Sequence, residues 1–259
     1  MPLAHPDESD VDLAASIAWA AGRLLRRLRA EPGAFDDPEA LGDRGDRQAD
    51  DLIHEALRDA RPNDVVLSEE SADDPRRLTA DRVWIIDPLD GTRQYKTEGS
   101  HDWAVHVALW ERSPDGIGAL TAAAVSLPDL GAMYRTDLAG YGDDDRTGPN
   151  DLPIIVVSDS RPPDVSAVAE LLSARIVSMG SAGAKIMAVV RGDADAYIHW
   201  GGQYQWDSAA PVAIAQAYGL HASRVDGSPL IYNLAETSLP DLVVCRTELA
   251  TAILNALTK

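Results

Sequence analysis

The chain of 259 residues holds a single cysteine, Cys245. That excludes an intrachain disulfide framework and a thiolate metal cluster. Basic residues are also scarce, with 23 Lys+Arg against 42 Asp+Glu and a formal net charge of −19. Such a chain has no basic footprint to displace counterions from nucleic acid, and no polybasic membrane anchor. No hydrophobic run reaches the length of a membrane span. The opening residues, MPLAHPDESD, are acidic where a signal peptide is basic, and no apolar segment follows. These absences point to a cytoplasmic protein. Only Lys96, Lys185 and Lys259 stand beside many Arg and Ala, a bias that fits a GC-rich bacterial coding sequence.

What is present suffices for a buried core: 45% of the residues are hydrophobic. At roughly 100–200 residues per domain, the length predicts one large domain or two intimate ones. Apolar residues at Leu13, Ile17, Ala20, Leu24, Leu25 and Leu28 have the spacing of one helix face. Residues 31–43 read as a loop, and a second helix is expected from about Arg47 to Arg61. Strands are expected at 64–71, at 82–92 with an abrupt end at Asp87-Pro88, and at 102–111, where Trp103, Val105, Val107 and Leu109 share a face. A hairpin is expected around Pro128–Gly131, and a surface loop at 138–151. Beyond it the pattern alternates strand and helix, with prolines in the first turn of the helix near 162–174 and a helix that ends at Gly219. Strand–helix alternation in both halves predicts an α/β or α+β layered fold. The halves divide at 1–150 and 151–259, as one unit with the active site between them.

Acidic side chains stand at the punctuation of this pattern. Glu69 and Glu70 close a strand, Asp87 and Asp90 flank Pro88-Leu89, and Asp207 opens a helix. Oxygen donors with no cysteine or histidine set beside them suit a hard cation, Mg2+ before Zn2+. In Asp90-Gly91-Thr92 the glycine lets backbone N–H groups approach an anion. A metal nest beside a phosphate cradle implies phosphoryl chemistry. Taken singly, each piece has a plainer reading: a turn for DPLDG, an N-cap for Asp207, a solvated loop for Glu-Glu-Ser.

Taken together, SEES (68–71), WIIDPLDGT (84–92), GSAGAK (180–185) and WDSAA (206–210) resemble the signature set of the inositol-monophosphatase-like, lithium-sensitive, Mg2+-dependent phosphatase superfamily. The order and separations fit from about Asp12 to Arg246. Within it, the stretches DAYIHWGG, HASRVDGSPLIYN and PDLVVCR resemble the CysQ-type branch that acts on 3′-phosphoadenosine 5′-phosphate. The resemblance implies an αβαβα sandwich, a homodimer, and two to three Mg2+ per active site. It matches Glu69, Asp87 and the Leu89 carbonyl to a first metal site, and Asp87, Asp90 and Asp207 to a second. Glu69 also faces a third, weaker one. Gly91 and Thr92 match the phosphate turn. Asp46, twenty-three residues before Glu69, falls where the family pairs an acid with that threonine, so Asp46 is expected to orient Thr92, and Thr92 the attacking water. Glu70 is expected to support the ligands from behind.

Two positions depart from the family pattern. Asp43 replaces a threonine near Asp46, and Trp200 stands where inositol-specific members carry a glutamate. An indole accepts no hydrogen bond but offers an aromatic face, which favours a nucleotide over a polyol. Lys185 is the first candidate for the distal phosphate, with Arg161 and Arg224 behind it, and Ser181 is placed near the sugar. His101, His106, His199 and His221 receive no role. Trp103, Trp110 and Cys245 are expected in the core. The expected substrate is a small phosphate ester, adenosine 3′,5′-bisphosphate, converted to AMP and phosphate in the setting of sulfate assimilation. The alternatives are an inositol-1-phosphate or fructose-1,6-bisphosphatase, and a catalytically silent binding protein.

Overall fold

The computed structural model describes residues 7–114, 116–138 and 152–258. The loop and half-boundary expected at 138–151 therefore lie, but for residue 138, outside the described residues. Helix α1 (Asp10–Arg29) starts where the Ser9 hydroxyl accepts the Asp12 amide, and it buries Leu13, Ile17, Leu25 and Leu28. Helix α2 (Pro38–Ala60) begins well before the expected Arg47. The Pro, Gly and Asp content of 31–43 suggests a loop. Yet Asp37 accepts the Ala40 amide, and Pro38 occupies the first turn, where a missing N–H leaves nothing unpaired.

The first sheet runs β1 (Val65–Ser68), β2 (Arg82–Asp90), β3 (Ala104–Glu111), β4 (Ala119–Leu127) and β5 (Ala132–Arg135) in that spatial order. β1 is parallel to β2, and the other pairs are antiparallel. β2 does not stop at Asp87-Pro88. It continues to Asp90 through a register shift, the kind of irregularity at which a sheet tolerates proline. A one-turn helix, α3 (Thr92–Tyr95), follows it.

The second sheet contains β6 (Ile154–Ser158), β7 (Arg175–Met179), β8 (Ala196–Tyr204), β9 (His221–Ser223) and β10 (Ser238–Cys245), in the order β7-β6-β8-β10-β9. Its helices are α4 (Ser166–Leu172), α5 (Ala182–Arg191), α6 (Gln205–Ala217) and α7 (Thr247–Leu257). The expected first-turn prolines precede α4 instead, since the helix begins only at Ser166, whose amide donates to Asp164.

Strand parity sorts the apolar side chains into three cores, since neighbours on a strand face opposite ways. Trp84 and Ile86 meet α1 and α2 together with Trp103, Val105, Val107 and Leu109. Val83 and Ile85 meet α5 and α6, as do Leu242, Val244 and Trp110. Val243 and the buried Cys245 meet α4 and α7 on the outer side. Five layers result, in the order helix, sheet, helix, sheet, helix, which is the expected αβαβα sandwich. No described helix is long and apolar enough to cross a membrane.

Candidate active site

A cleft of about 340 Å³ opens where the carboxyl ends of β1, β2 and β6 meet the amino ends of α5 and α6. Among the residues that line it are Glu69, Asp87, Leu89, Asp90, Gly91, Thr92, Ser181, Lys185 and Asp207. Ligand oxygens of Asp87, Asp90 and Asp207 all lie within 4.8 Å of one another. Glu69 lines the same cleft from its open side but stands outside that tight group. Asp207 is the third residue of α6 rather than its cap. Its carboxylate reaches back to accept the Tyr204 amide at 2.6 Å.

This crowding has an electrostatic signature. Asp87 is wholly buried, and burial with the charges of Glu69, Asp90 and Asp207 drives its carboxyl well above the usual range. Burial, then the charge of Asp90, pushes Asp207 up to about 7. Glu69 keeps contact with solvent, yet the cleft wall desolvates its carboxyl, and Asp207 and Asp90 add to the effect, raising it to about 8. Burial also acts to raise Asp90, but His106, Ser181 and Lys185 outweigh it and hold that carboxyl at about 2. Asp87 Oδ2 is buried with no hydrogen-bond partner. Close carboxylates that resist joint ionisation, with an orphaned oxygen among them, form a donor set that fits hard divalent cations.

Asp90 is the best-supported member. Ser181 Oγ donates to it at 2.5 Å, Ala182 N at 3.1 Å and Gly183 N at 2.6 Å, so the start of α5 points at its charge. His106 Nε2 lies 3.3 Å from Asp90, and His106 Nδ1 lies 3.1 Å from the Trp206 carbonyl. Two glycines make this closeness possible. A Cβ on Gly183 would stand 2.0 Å from His106 Nε2, and one on Gly91 would meet the Asp102 carbonyl at 2.9 Å. Gly91 also has φ +89, a left-handed value that other residues rarely adopt.

Asp46 lies on α2 outside the cleft lining, yet its Oδ1 is 3.2 Å from Thr92 Oγ1, which is itself 3.2 Å from the Leu89 carbonyl. The anticipated Asp46–Thr92 pair is therefore formed. Burial, then the charge of Glu70, raises Asp46 to about 7. Lys185 is buried. Its Nζ donates to the Ser181 carbonyl at 2.7 Å and lies 5.2 Å from the Tyr197 ring centre. The Ser181 hydroxyl is already engaged, donating to Asp90 and accepting from Ala184 N.

Trp200 is 37% exposed and does not line the cleft, whereas His199 and Gln203 of the same strand do. Arg161 lines the cleft. Arg224 does not, and it pairs with Asp241 at 3.3 Å. The sequence reading missed His106, which touches Asp90, and His199, a lining residue that burial lowers to about 4. It also missed Arg93 and Asp159, which pair with each other at the cleft wall. For Asp159 a signal existed, since it follows the carboxyl end of a parallel strand, the usual place for ligand contacts in such sheets. For His106, inside an apolar alternating strand, none did.

Five stacked layers around a buried, oxygen-only cluster define a class of α/β sandwich that offers acids from separate chain segments to a cation. The chain belongs to the inositol monophosphatase family, whose profile matches residues 7–141 and 150–258. A Mycobacterium leprae protein named 3′-phosphoadenosine 5′-phosphate phosphatase is 52% identical over 255 residues, covering 96% of this chain and 93% of its own length. The 3′(2′),5′-bisphosphate nucleotidase CysQ of Escherichia coli is 33% identical over 210 residues, covering 75% of this chain and 80% of its own. Among solved structures, inositol monophosphatase II from Staphylococcus aureus superposes with a TM-score of 0.74 at 22% identity, over 94% of this chain and 93% of that one.

Proposed function

We propose that the chain is a Mg2+-dependent phosphomonoesterase that removes the 3′-phosphate of 3′-phosphoadenosine 5′-phosphate, yielding AMP and phosphate. The carrying observation is the carboxylate cluster of Asp87, Asp90 and Asp207, in a chain 52% identical to a protein named for that activity. Glu69, Asp87, the Leu89 carbonyl, Asp90 and Asp207 would hold two to three Mg2+. Cations held there would supply neutralisation of phosphoryl oxygens, a lowered pKa of water and stabilisation of the leaving oxygen.

The chain's own residues supply positioning. Thr92 Oγ1 has one proton, and when it is donated to Asp46 Oδ1 the hydroxyl lone pairs are left to accept the attacking water. Asp46, already raised to about 7, is suited to hold that proton as the water is consumed. Gly91 and Thr92 would cradle the transferred phosphate. Lys185, with Arg161 at the cleft wall, would meet the distal one. Ser181 holds Asp90 in place, so its backbone rather than its hydroxyl would face the sugar. Trp200 stands outside the cleft lining, and the aromatic side chains that line it are Tyr197 and His199. The same reading carries a cytoplasmic homodimer with lithium sensitivity, and two halves at 1–150 and 151–259.

The test is phosphate release under Mg2+ from the bisphosphate nucleotide, inositol-1-phosphate and fructose-1,6-bisphosphate. The nucleotide should have the highest kcat/KM. A preference for inositol-1-phosphate would move the assignment to the sugar phosphatases, and no release from any of them would leave a silent binding protein.

A further inference from the structure

We propose that Asp50 is a positioning residue that fixes where Glu69 stands, by gripping both ends of the tetrapeptide that carries it. The inference rests on the reading of Glu69 as a metal ligand. Glu69 follows the last residue of β1 and is exposed, and among the described residues its carboxylate has no hydrogen-bond or ion-pair partner. Its neighbours are held tightly. Ser68 Oγ donates to Asp50 Oδ1 at 2.6 Å, and Ser71 Oγ donates to Asp50 Oδ2 at 2.8 Å. One carboxylate thus uses both oxygens to pin residues 68 and 71, and the Glu70 amide folds back on Ser68 Oγ at 3.3 Å. Asp50 is only 8% exposed and cannot drift with the loop.

Asp50 also lies one helical turn from Asp46 on α2. A single rigid helix therefore sets both the Thr92 partner and the Glu69 loop, at consecutive turns of one face. His54, a turn further on, closes the group, with Nε2 3.2 Å from Ser71 Oγ and 3.4 Å from Asp50 Oδ1. Outer partners of this kind tune metal affinity by orienting the ligand, without touching the ion.

Removing Asp50 would also remove a charge near the cluster, so the neutral ends of the grip are the better probes. The experiment measures Mn2+ binding to the full chain by EPR titration, without substrate, alongside Tm. It compares wild type with the double variant Ser68→Ala/Ser71→Ala, each also in a Glu69→Gln background. In the native background the Mn2+ Kd should rise on the order of tenfold. In the Glu69→Gln background the same change should shift it by less than about twofold, because the residue acted through is gone. Unchanged binding in a folded double variant overturns the proposal, as does an equal loss in both backgrounds. Should the double variant fail to fold, Ser71→Ala alone asks the same question, with an expected rise of roughly threefold. A wild type that binds no Mn2+ refutes the metal reading itself, whereas failure of the nucleotide assay alone leaves this result untouched.

Discussion

Replacing Gly183 with alanine sets stability and activity against each other. The new Cβ would stand 2.0 Å from His106 Nε2 and 3.1 Å from Asp90 Oδ2, whereas ordinary contact begins near 3.4 Å. The histidine cannot swing away cheaply, because it is fully buried and its other nitrogen is 3.1 Å from the Trp206 carbonyl. A displacement above 1 Å must therefore be shared among His106, Asp90 and the start of α5. Overpacking of this sort costs about 1–3 kcal/mol. Alanine recovers up to about 1 kcal/mol of helix propensity, less in a first turn. The net loss of stability should be about 1–2 kcal/mol. Activity should suffer more, since misplacing a group by about 1 Å costs on the order of a hundredfold. Calorimetry should show a modestly lowered Tm, and phosphate release under Mg2+ a kcat/KM down by about two orders of magnitude. Near-native kcat/KM would refute the idea that contact between α5 and Asp90 sets the geometry of the cluster.

Three further outcomes follow from the same geometry. Thr92→Val should fold normally and lose about 10²–10⁴ in kcat, with Thr92→Ser recovering most of it; equal activity in both variants would remove the Asp46–Thr92 pair from the mechanism. In metal-free protein, Asp207 near 7 and Glu69 near 8 bind protons that the unfolded chain, at ordinary carboxylate values, has already released. Stability should therefore be highest near pH 4–5, fall as pH rises toward 8, and be restored at the upper end by Mg2+; a flat profile of Tm against pH would contradict the crowding described. Lys185→Met should raise KM for the bisphosphate nucleotide by roughly tenfold, with a smaller effect on a monophosphate ester, as steady-state kinetics on both would show.

Much of this site was legible because its chemistry sits in short contiguous motifs. DPLDGT, SEES and WDSAA each place an acid at the end of a strand or the start of a helix, and the fold brings those ends to one cleft. Asp46 and Thr92, far apart in sequence, meet at 3.2 Å as expected. What escaped depended on parity and on long-range packing. Trp200 and His199 are adjacent on one strand, so they face opposite ways, and the histidine takes the cleft side. His106 lies in a strand buried along almost all its length, where local sequence cannot separate a core histidine from one that touches an acid. Asp50 was hidden for a related reason. It lies inside the expected helix, but its two serine partners, 18 and 21 residues away in sequence, become neighbours only after folding.

The proposed ligands Glu69, Asp90 and Asp207 come from separate stretches of chain, so the pocket they would form is a late product of synthesis. A growing polypeptide on the ribosome can have its whole first sheet and still lack the Asp207 carboxylate until α6 has emerged and docked. On the proposed reading, every truncated fragment that ends before α6 would lack catalytic competence, and ion loading would report that the two sheets have come together.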